Sequence, residues 1–101
     1  MQKIHFSIPK EKIASFCKKH HIEKMSLFGS VLTSDFKPTS DVDFLVVFDS
    51  DNHPGLFKIV DMEEELSQII GRHADLRTAG DLSRFFRDDV VKHAHQIYAK
   101  P

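Results

Sequence analysis

Leu27-Phe28-Gly29-Ser30, then nine residues, then Ser40-Asp41-Val42-Asp43-Phe44-Leu45-Val46: this stretch decides how the chain is read. Residues 24–28 form a short apolar-rich run that reads as a strand, and Gly29-Ser30 breaks it. Val31 and Leu32 suggest a helical turn, and residues 33–40, polar and containing Pro38, read as a loop. Residues 42–48 are β-branched and aromatic, nearly continuously apolar, and give the clearest strand, one expected to be largely covered on both faces. A Gly-Ser turn between a strand and a helical turn presents backbone N–H groups and a hydroxyl, the chemistry that binds phosphate. Asp41 and Asp43 stand two apart at a strand entrance, so the period of 2 points both carboxylates to one side. Such a pair repels unless a cation lies between the two acids, and Mg²⁺ favours one or two carboxylates, phosphate oxygens and water.

A D-x-D pair by itself is more often a solvated strand entrance. The flanks change that balance. Asp43 abuts Phe44-Leu45-Val46-Val47, and a charge against a core strand is costly unless it is paired or metal-bound. A triphosphate held at Gly29-Ser30 beside a metal held at Asp41 and Asp43 would form a phosphoryl-transfer site.

Working outward, residues 7–20 read as a helix with Ser7 as its cap, Pro9 in its first turn, and Ile13, Phe16 and Cys17 on one face. Residues 49–54 read as a turn. A second helix is expected over 54–70, with Leu56, Ile59, Val60, Leu66, Ile69 and Ile70 inward and Gly71 as its C′ residue. Residues 73–78 read as a third short strand. Asp81 is the expected N-cap of a last helix running to about Tyr98, with Leu82, Phe85, Phe86, Val90, Ala94 and Ile97 as its buried stripe. The order α-β-α-β-α-β-α predicts an α/β (α+β) architecture: a small mixed sheet of three to four strands flanked by helices.

The 101 residues are expected to form one domain spanning 1–101, with no room for a separate acceptor-binding module. The net charge of −1 lacks the basic footprint of a nucleic-acid binder, so no direct nucleic-acid partner is expected. The longest apolar run, Phe44–Phe48, is far short of the ~20 residues that span a bilayer, and Met1–His5 has no apolar signal core. With the lone Cys17, this gives a cytoplasmic reading. Of the seven His, neither His20-His21 nor His93 and His95, two apart on the expected helix, faces one direction, and no Cys cluster accompanies them. Zinc is therefore not expected.

The G-S, nine residues, S-D-x-D-apolar pattern resembles the nucleotidyltransferase signature of the polymerase-β-like superfamily, and the short length resembles its minimal nucleotidyltransferase (MNT) branch. The resemblance runs from about Lys24 to Thr78. It implies a third carboxylate on a later strand, a place that Asp75 matches. Asp81 is the rival acid, but its position before Leu82 reads as a cap. It further implies that Gly29, Ser30 and Ser40 bind the nucleotide's phosphates. Asp41, Asp43 and Asp75 would be the catalytic acids and hold two Mg²⁺ ions, and ATP would donate AMP to a hydroxyl. Stand-alone MNT proteins resemble the antitoxin half of toxin–antitoxin modules, so the implied acceptor is a tyrosine of a helical HEPN-family toxin. One departure is plain: family members often carry Arg and Gly after Gly-Ser, where this chain has Val31-Leu32-Thr33-Ser34. Two other readings stay open: a non-catalytic nucleotide- or toxin-binding module, and a small-molecule (antibiotic) nucleotidyltransferase. A homodimer and a hetero-oligomer are both compatible with a small sheet's open edges.

Overall fold

The structure is a computed structural model that describes residues 7–49 and 54–101. Its elements run α1 (Lys10–Lys19), β1 (Ile22–Phe28), a 3₁₀ turn (Gly29–Leu32), β2 (Val42–Phe48), α2 (Leu56–Ile70), β3 (Ala74–Arg77), a second 3₁₀ turn (Ala79–Asp81), α3 (Arg87–His93) and β4 (His95–Ala99). The four strands make one sheet in the order β3-β2-β1-β4. β1 pairs antiparallel with β2 and β4, and β2 pairs parallel with β3 through the α2 crossover. The α/β reading with a small mixed sheet and flanking helices therefore holds.

Strand alternation divides the sheet into two unlike faces. Met25 and Leu27 of β1, Phe44 and Val46 of β2, and Ala74 and Leu76 of β3 share one face, all of them buried. Ile13, Phe16 and Cys17 of α1 and Met62 and Leu66 of α2 join them in one core. The other face carries Ser26, Phe28, Asp43, Leu45, Val47, Asp75 and Arg77. β2 is covered unevenly on that side: Leu45 is buried and Asp43 half-buried, but Val47 is 45% exposed, because α1 and α2 build the core on the opposite face. The open face is where the acids stand.

β3 is an edge strand, and α2 satisfies its outward backbone groups. Ser67 Oγ accepts the Ala74 N–H at 2.9 Å, and Glu63 Oε2 accepts the Leu76 N–H at 2.7 Å. Unpaired edge groups invite association with other chains, so these side chains both protect the edge and fix the height of Asp75 between them. Gly71 closes α2 at φ +78, the left-handed conformation expected of a C′ glycine.

Several boundaries differ from the sequence reading. α1 starts at Lys10 with Pro9 as N-cap, and Ser7 makes no cap bond; its proline fixes the entry instead. β1 begins two residues earlier than expected, at Ile22. Residues 50–53 of the expected turn lie outside the described residues. Leu56 and Val60, expected inside, are exposed; the buried side of α2 is Met62 and Leu66.

The largest correction is the last helix. Only Arg87–His93 is helical, and residues 95–99 form β4 against β1, with Leu27 opposite His95 and Met25 opposite Tyr98. Without β4, β1 would be an unsatisfied edge. Ile97 and Tyr98 are good strand residues, and non-local pairing outweighs a weak helical preference. The stripe is accordingly dissolved: Ile97 packs on the core from the sheet, while Phe85 and Phe86 are exposed. Asp81 caps no long helix; its carboxylate accepts the Thr78 N–H and hydroxyl in a capping box around the second 3₁₀ turn.

Candidate active site

The site grows from the ends of three adjacent strands. β1 runs out at Phe28, opposite Asp43, and Gly29 turns the chain into the 3₁₀ turn. Gly29 has φ +78, and a Cβ there would lie 2.5 Å from Asp43 Oδ2. No other residue fits: the backbone conformation and the carboxylate both demand glycine. Ser30 O accepts bonds from the Thr33 N–H and hydroxyl, each at 2.9 Å, which tightens the turn.

The 33–41 loop carries Asp41 to the mouth of β2. Ser40 Oγ accepts the Lys37 N–H at 2.9 Å. Arg72 donates to the carbonyls of Lys37 and Ser40 at 3.3 and 3.4 Å and lies over the Phe36 ring at 4.6 Å. Arg72 is thereby a clasp for this loop, and Ser40 a former of the turn that presents Asp41.

Across the parallel ladder Asp43 stands opposite Asp75. Asp41 and Asp75 each bring a carboxylate oxygen into a cluster completed by His73, all three ligand atoms lying within 4.8 Å of one another. His73 Nε2 is 3.3 Å from Asp75 Oδ1. Asp43 lies beside this cluster, one carboxylate oxygen turned to Gly29. Burial pushes its pKa up, the charges of Asp75 and Asp41 push the same way, and Arg77 opposes them. A half-buried carboxylate raised by two neighbouring carboxylates is a group short of positive charge. Oxygen and imidazole donors converging on that shortage fit a divalent cation.

The structure thus brings together Asp41, Asp43 and Asp75 at one end of the open face, with Gly29 against Asp43 and Ser30 next along the chain. His73 is the residue that the sequence reading missed. The signal was present, for His73-Ala74-Asp75 has the same alternate spacing as Asp41-Val42-Asp43. A cavity of about 480 Å³ lies elsewhere, toward the C-terminal ends of β2 and β3, lined by Phe48, Pro54, Leu56, Ile59, Leu76, Arg77, Thr78 and Asp81. It is not where the acids converge, and the carboxylate geometry, not concavity, locates the site.

A four-stranded mixed sheet with a glycine turn set against paired strand-end acids defines a nucleotidyl-transfer enzyme. The nucleotidyltransferase domain family matches residues 10–97, and the chain belongs to that family. It is similar to a candidate protein adenylyltransferase of Methanocaldococcus jannaschii, with 31% identity over 87% of this chain and 92% of that one. It is also similar to the protein adenylyltransferase MntA of Thermococcus cleftensis, with 36% identity over 70% of each. Among solved structures, a toxin–antitoxin complex with AMP-PNP shares the fold at TM-score 0.74 and 18% identity, over 92% of this chain and 75% of that one. So does the complex of a tri-AMPylated Shewanella oneidensis HEPN toxin with its MNT antitoxin, at TM-score 0.65 and 18% identity, over 90% and 70%. Among the described residues no helix is long and apolar enough to cross a membrane.

Proposed function

We propose that this chain is a cytoplasmic, single-domain protein adenylyltransferase and the antitoxin of a toxin–antitoxin pair, moving AMP from ATP to a tyrosine hydroxyl of a HEPN-type partner. The observation that carries the reading is the convergence of Asp41, Asp43 and Asp75 beside the Gly29-Ser30 turn. The names of the two relatives and the AMPylated toxin of the structural neighbour support the acceptor class.

Asp41, Asp43 and Asp75 would hold two Mg²⁺ ions, which when bound would neutralise the triphosphate and the charge that develops at the α-phosphorus. Gly29, lacking a side chain, leaves room for phosphate against the strand end. Ser30 offers its hydroxyl to the phosphates, and Ser40 shapes the opposite lip. The acceptor oxygen attacks the α-phosphorus in line; a P–O bond forms, the bond to the β-phosphate breaks, and pyrophosphate leaves. Asp75 takes the acceptor's proton. Positioning and charge neutralisation supply most of the rate, as in phosphoryl transfer generally.

A second reading, neutralisation by contact alone, has one observation in its favour. Val31-Leu32-Thr33-Ser34 carries no cationic side chain, and Arg72, between α2 and β3, is engaged in clasping the 33–41 loop through the carbonyls of Lys37 and Ser40. Incubation with ATP, Mg²⁺ and the neighbouring gene's product, followed by intact-mass analysis, separates the two. AMP on the partner, lost with Asp41→Asn and Asp43→Asn, is the expected result. A stable complex with no AMP on either chain would overturn the catalytic reading in favour of binding.

A further inference from the structure

We infer that His73 is a direct ligand of the metal site, making it a mixed nitrogen and oxygen site that selects Mn²⁺ or a similar borderline divalent ion over Mg²⁺. The inference rests on the adenylyl-transfer reading of the same acids; it adds a ligand to that site and, at the position His73 reaches, replaces Mg²⁺ with a borderline ion.

Three observations converge. First, His73, Asp41 and Asp75 form a cluster whose ligand atoms lie within 4.8 Å of one another, the one such group among the described residues. Second, His73 and Asp75 occupy alternate positions at the start of an edge strand, and the His73 carbonyl accepts the Val42 N–H at 2.9 Å. That bond ties the backbone of His73 to β2 immediately after Asp41, so the imidazole is anchored beside both acids. Third, the His73 side chain is 59% exposed and its contact with Asp75, at 3.3 Å, is long for a hydrogen bond. The imidazole is therefore not locked by packing or by a short hydrogen bond, and it can turn to an ion held by the two carboxylates in its reach.

The chemistry then discriminates between metals. Mg²⁺ demands oxygen donors and keeps its waters, and an imidazole adds little to it. First-row divalent ions take an imidazole more readily than Mg²⁺ does, and affinity for a mixed nitrogen and oxygen site rises from Mn²⁺ toward Co²⁺. Two carboxylates and one imidazole, with Asp43 at hand, leave coordination positions for phosphate oxygens and water.

The test is Mn²⁺ binding to the full chain without nucleotide, followed by electron paramagnetic resonance. Pulsed spectra of the wild-type protein should show a directly bonded nitrogen, and the coupling should change with ¹⁵N-histidine labelling and vanish in His73→Ala. That variant should bind Mn²⁺ about 10-fold more weakly while its Mg²⁺ affinity moves little, since loss of one ligand interaction commonly costs at least that much. Because His73 is largely solvent-exposed, the variant should keep its circular dichroism and melting temperature. Mn²⁺ bound tightly, lost with Asp75→Asn, but with no nitrogen coupling, overturns the role of His73 and leaves the carboxylate site standing. Mn²⁺ binding indifferent to Asp41→Asn and Asp75→Asn overturns the site itself, and this proposal with it.

Discussion

Residues 22–77 and residues 79–101 are built on opposite terms. The first region supplies three strands, α2 and all the acids of the site, and it holds most of the core, from Ile22 to Leu76. In the second, among the described residues, no side chain is buried; Ile97 and Tyr98 pack partly on the core, while Phe85, Phe86 and Val91 face outward. Charge differs as well as burial. The first region gathers like charges on its open face, while on its helix side Glu65 is paired with Lys19 and bonded to His20, which precede the region. A packed half can hold repelling carboxylates in place because its backbone is fixed by the core beneath them. The C-terminal segment contributes one strand to the sheet's far edge and no buried side chain.

The difference can be broken most sharply in the core. Phe44 lies on β2 immediately after Asp43 and is 1% exposed. Phe44→Ala should destabilise the chain by about 3–5 kcal/mol, read as a lowered urea midpoint, since it removes a large buried ring and leaves a cavity. A loss below about 1 kcal/mol would mean that the core does not run through this strand.

Next comes the chemistry above that core. Asp75→Asn should leave the melting temperature close to that of the wild type while AMP transfer falls about 100-fold or more, equivalent to about 2.7 kcal/mol of transition-state stabilisation. Equal loss of fold and transfer would mean that the acid acts through structure.

How far the sequence told this difference depends on what each residue's neighbours are. Asp41, Asp43 and Gly29 were legible because a local rule governs each: alternation along a strand for the acids, and a Gly-Ser break at the end of a strand for the turn. Asp75 needed the family resemblance, because its partnership with Asp43 is a parallel pairing across a crossover, which no local pattern encodes. The C-terminal segment misled for the same reason. Phe85, Phe86 and Val90 do recur at helical spacing, but periodicity reports an apolar face and not what covers it. Here, among the described residues, the Arg84 guanidinium lies over the Phe85 ring and leaves it 84% exposed, and β1 recruits residues 95–99 as a strand. His73 is not legible in the same way: although His73-x-Asp75 repeats the alternation, its nearness to Asp41 comes only from the parallel pairing of β2 with β3.

The anchoring of β3 gives a smaller effect. Glu63→Ala removes the acceptor of the Leu76 N–H and should cost about 1–3 kcal/mol, with faster hydrogen exchange at Leu76. Glu63→Gln retains an acceptor oxygen and should recover most of the loss; if it does not, the charge toward Arg77, 3.9 Å away, matters more than the bond.

Proton linkage separates the two sides of the first region by sign. Asp43 has a folded pKa raised above 3.8, by burial first and then by Asp75 and Asp41. The folded state therefore binds its proton more readily than the unfolded state, and metal-free stability gains as pH falls through the raised value, levelling below 3.8. Asp43→Asn should melt higher than the wild type at pH 7, with the gap closing on acidification. Glu65 has the opposite sign. Burial alone would raise its pKa, but the hydrogen bonds from His20 and Lys19 outweigh burial and lower it from 4.5. Its stabilisation is present above 4.5 and is lost as pH falls through the lowered value, so Glu65→Gln should cost stability at pH 7 and progressively less as pH falls below 4.5. Matching slopes for the two variants would erase the contrast between the repelling face and the paired one.

The smallest expected effect tests the C-terminal half directly. Phe85 and Phe86 are 84% and 57% exposed. Substituting both with Ser removes two large apolar side chains, yet in the isolated chain the transfer of exposed rings to polar groups forfeits almost no burial. The melting temperature should stay within the shift that about 0.5 kcal/mol produces, roughly 2–4 °C at this size. The same pair of changes at two core positions would unfold the domain. A cost above about 2 kcal/mol would mean that the apolar spacing of residues 82–97 builds a real helical face, and that the segment carries more of the fold than its exposure allows. An unchanged melting temperature keeps the comparison intact: the acids stand on a core whose buried residues end at Leu76, and the exposed rings of Phe85 and Phe86 do not hold the chain together.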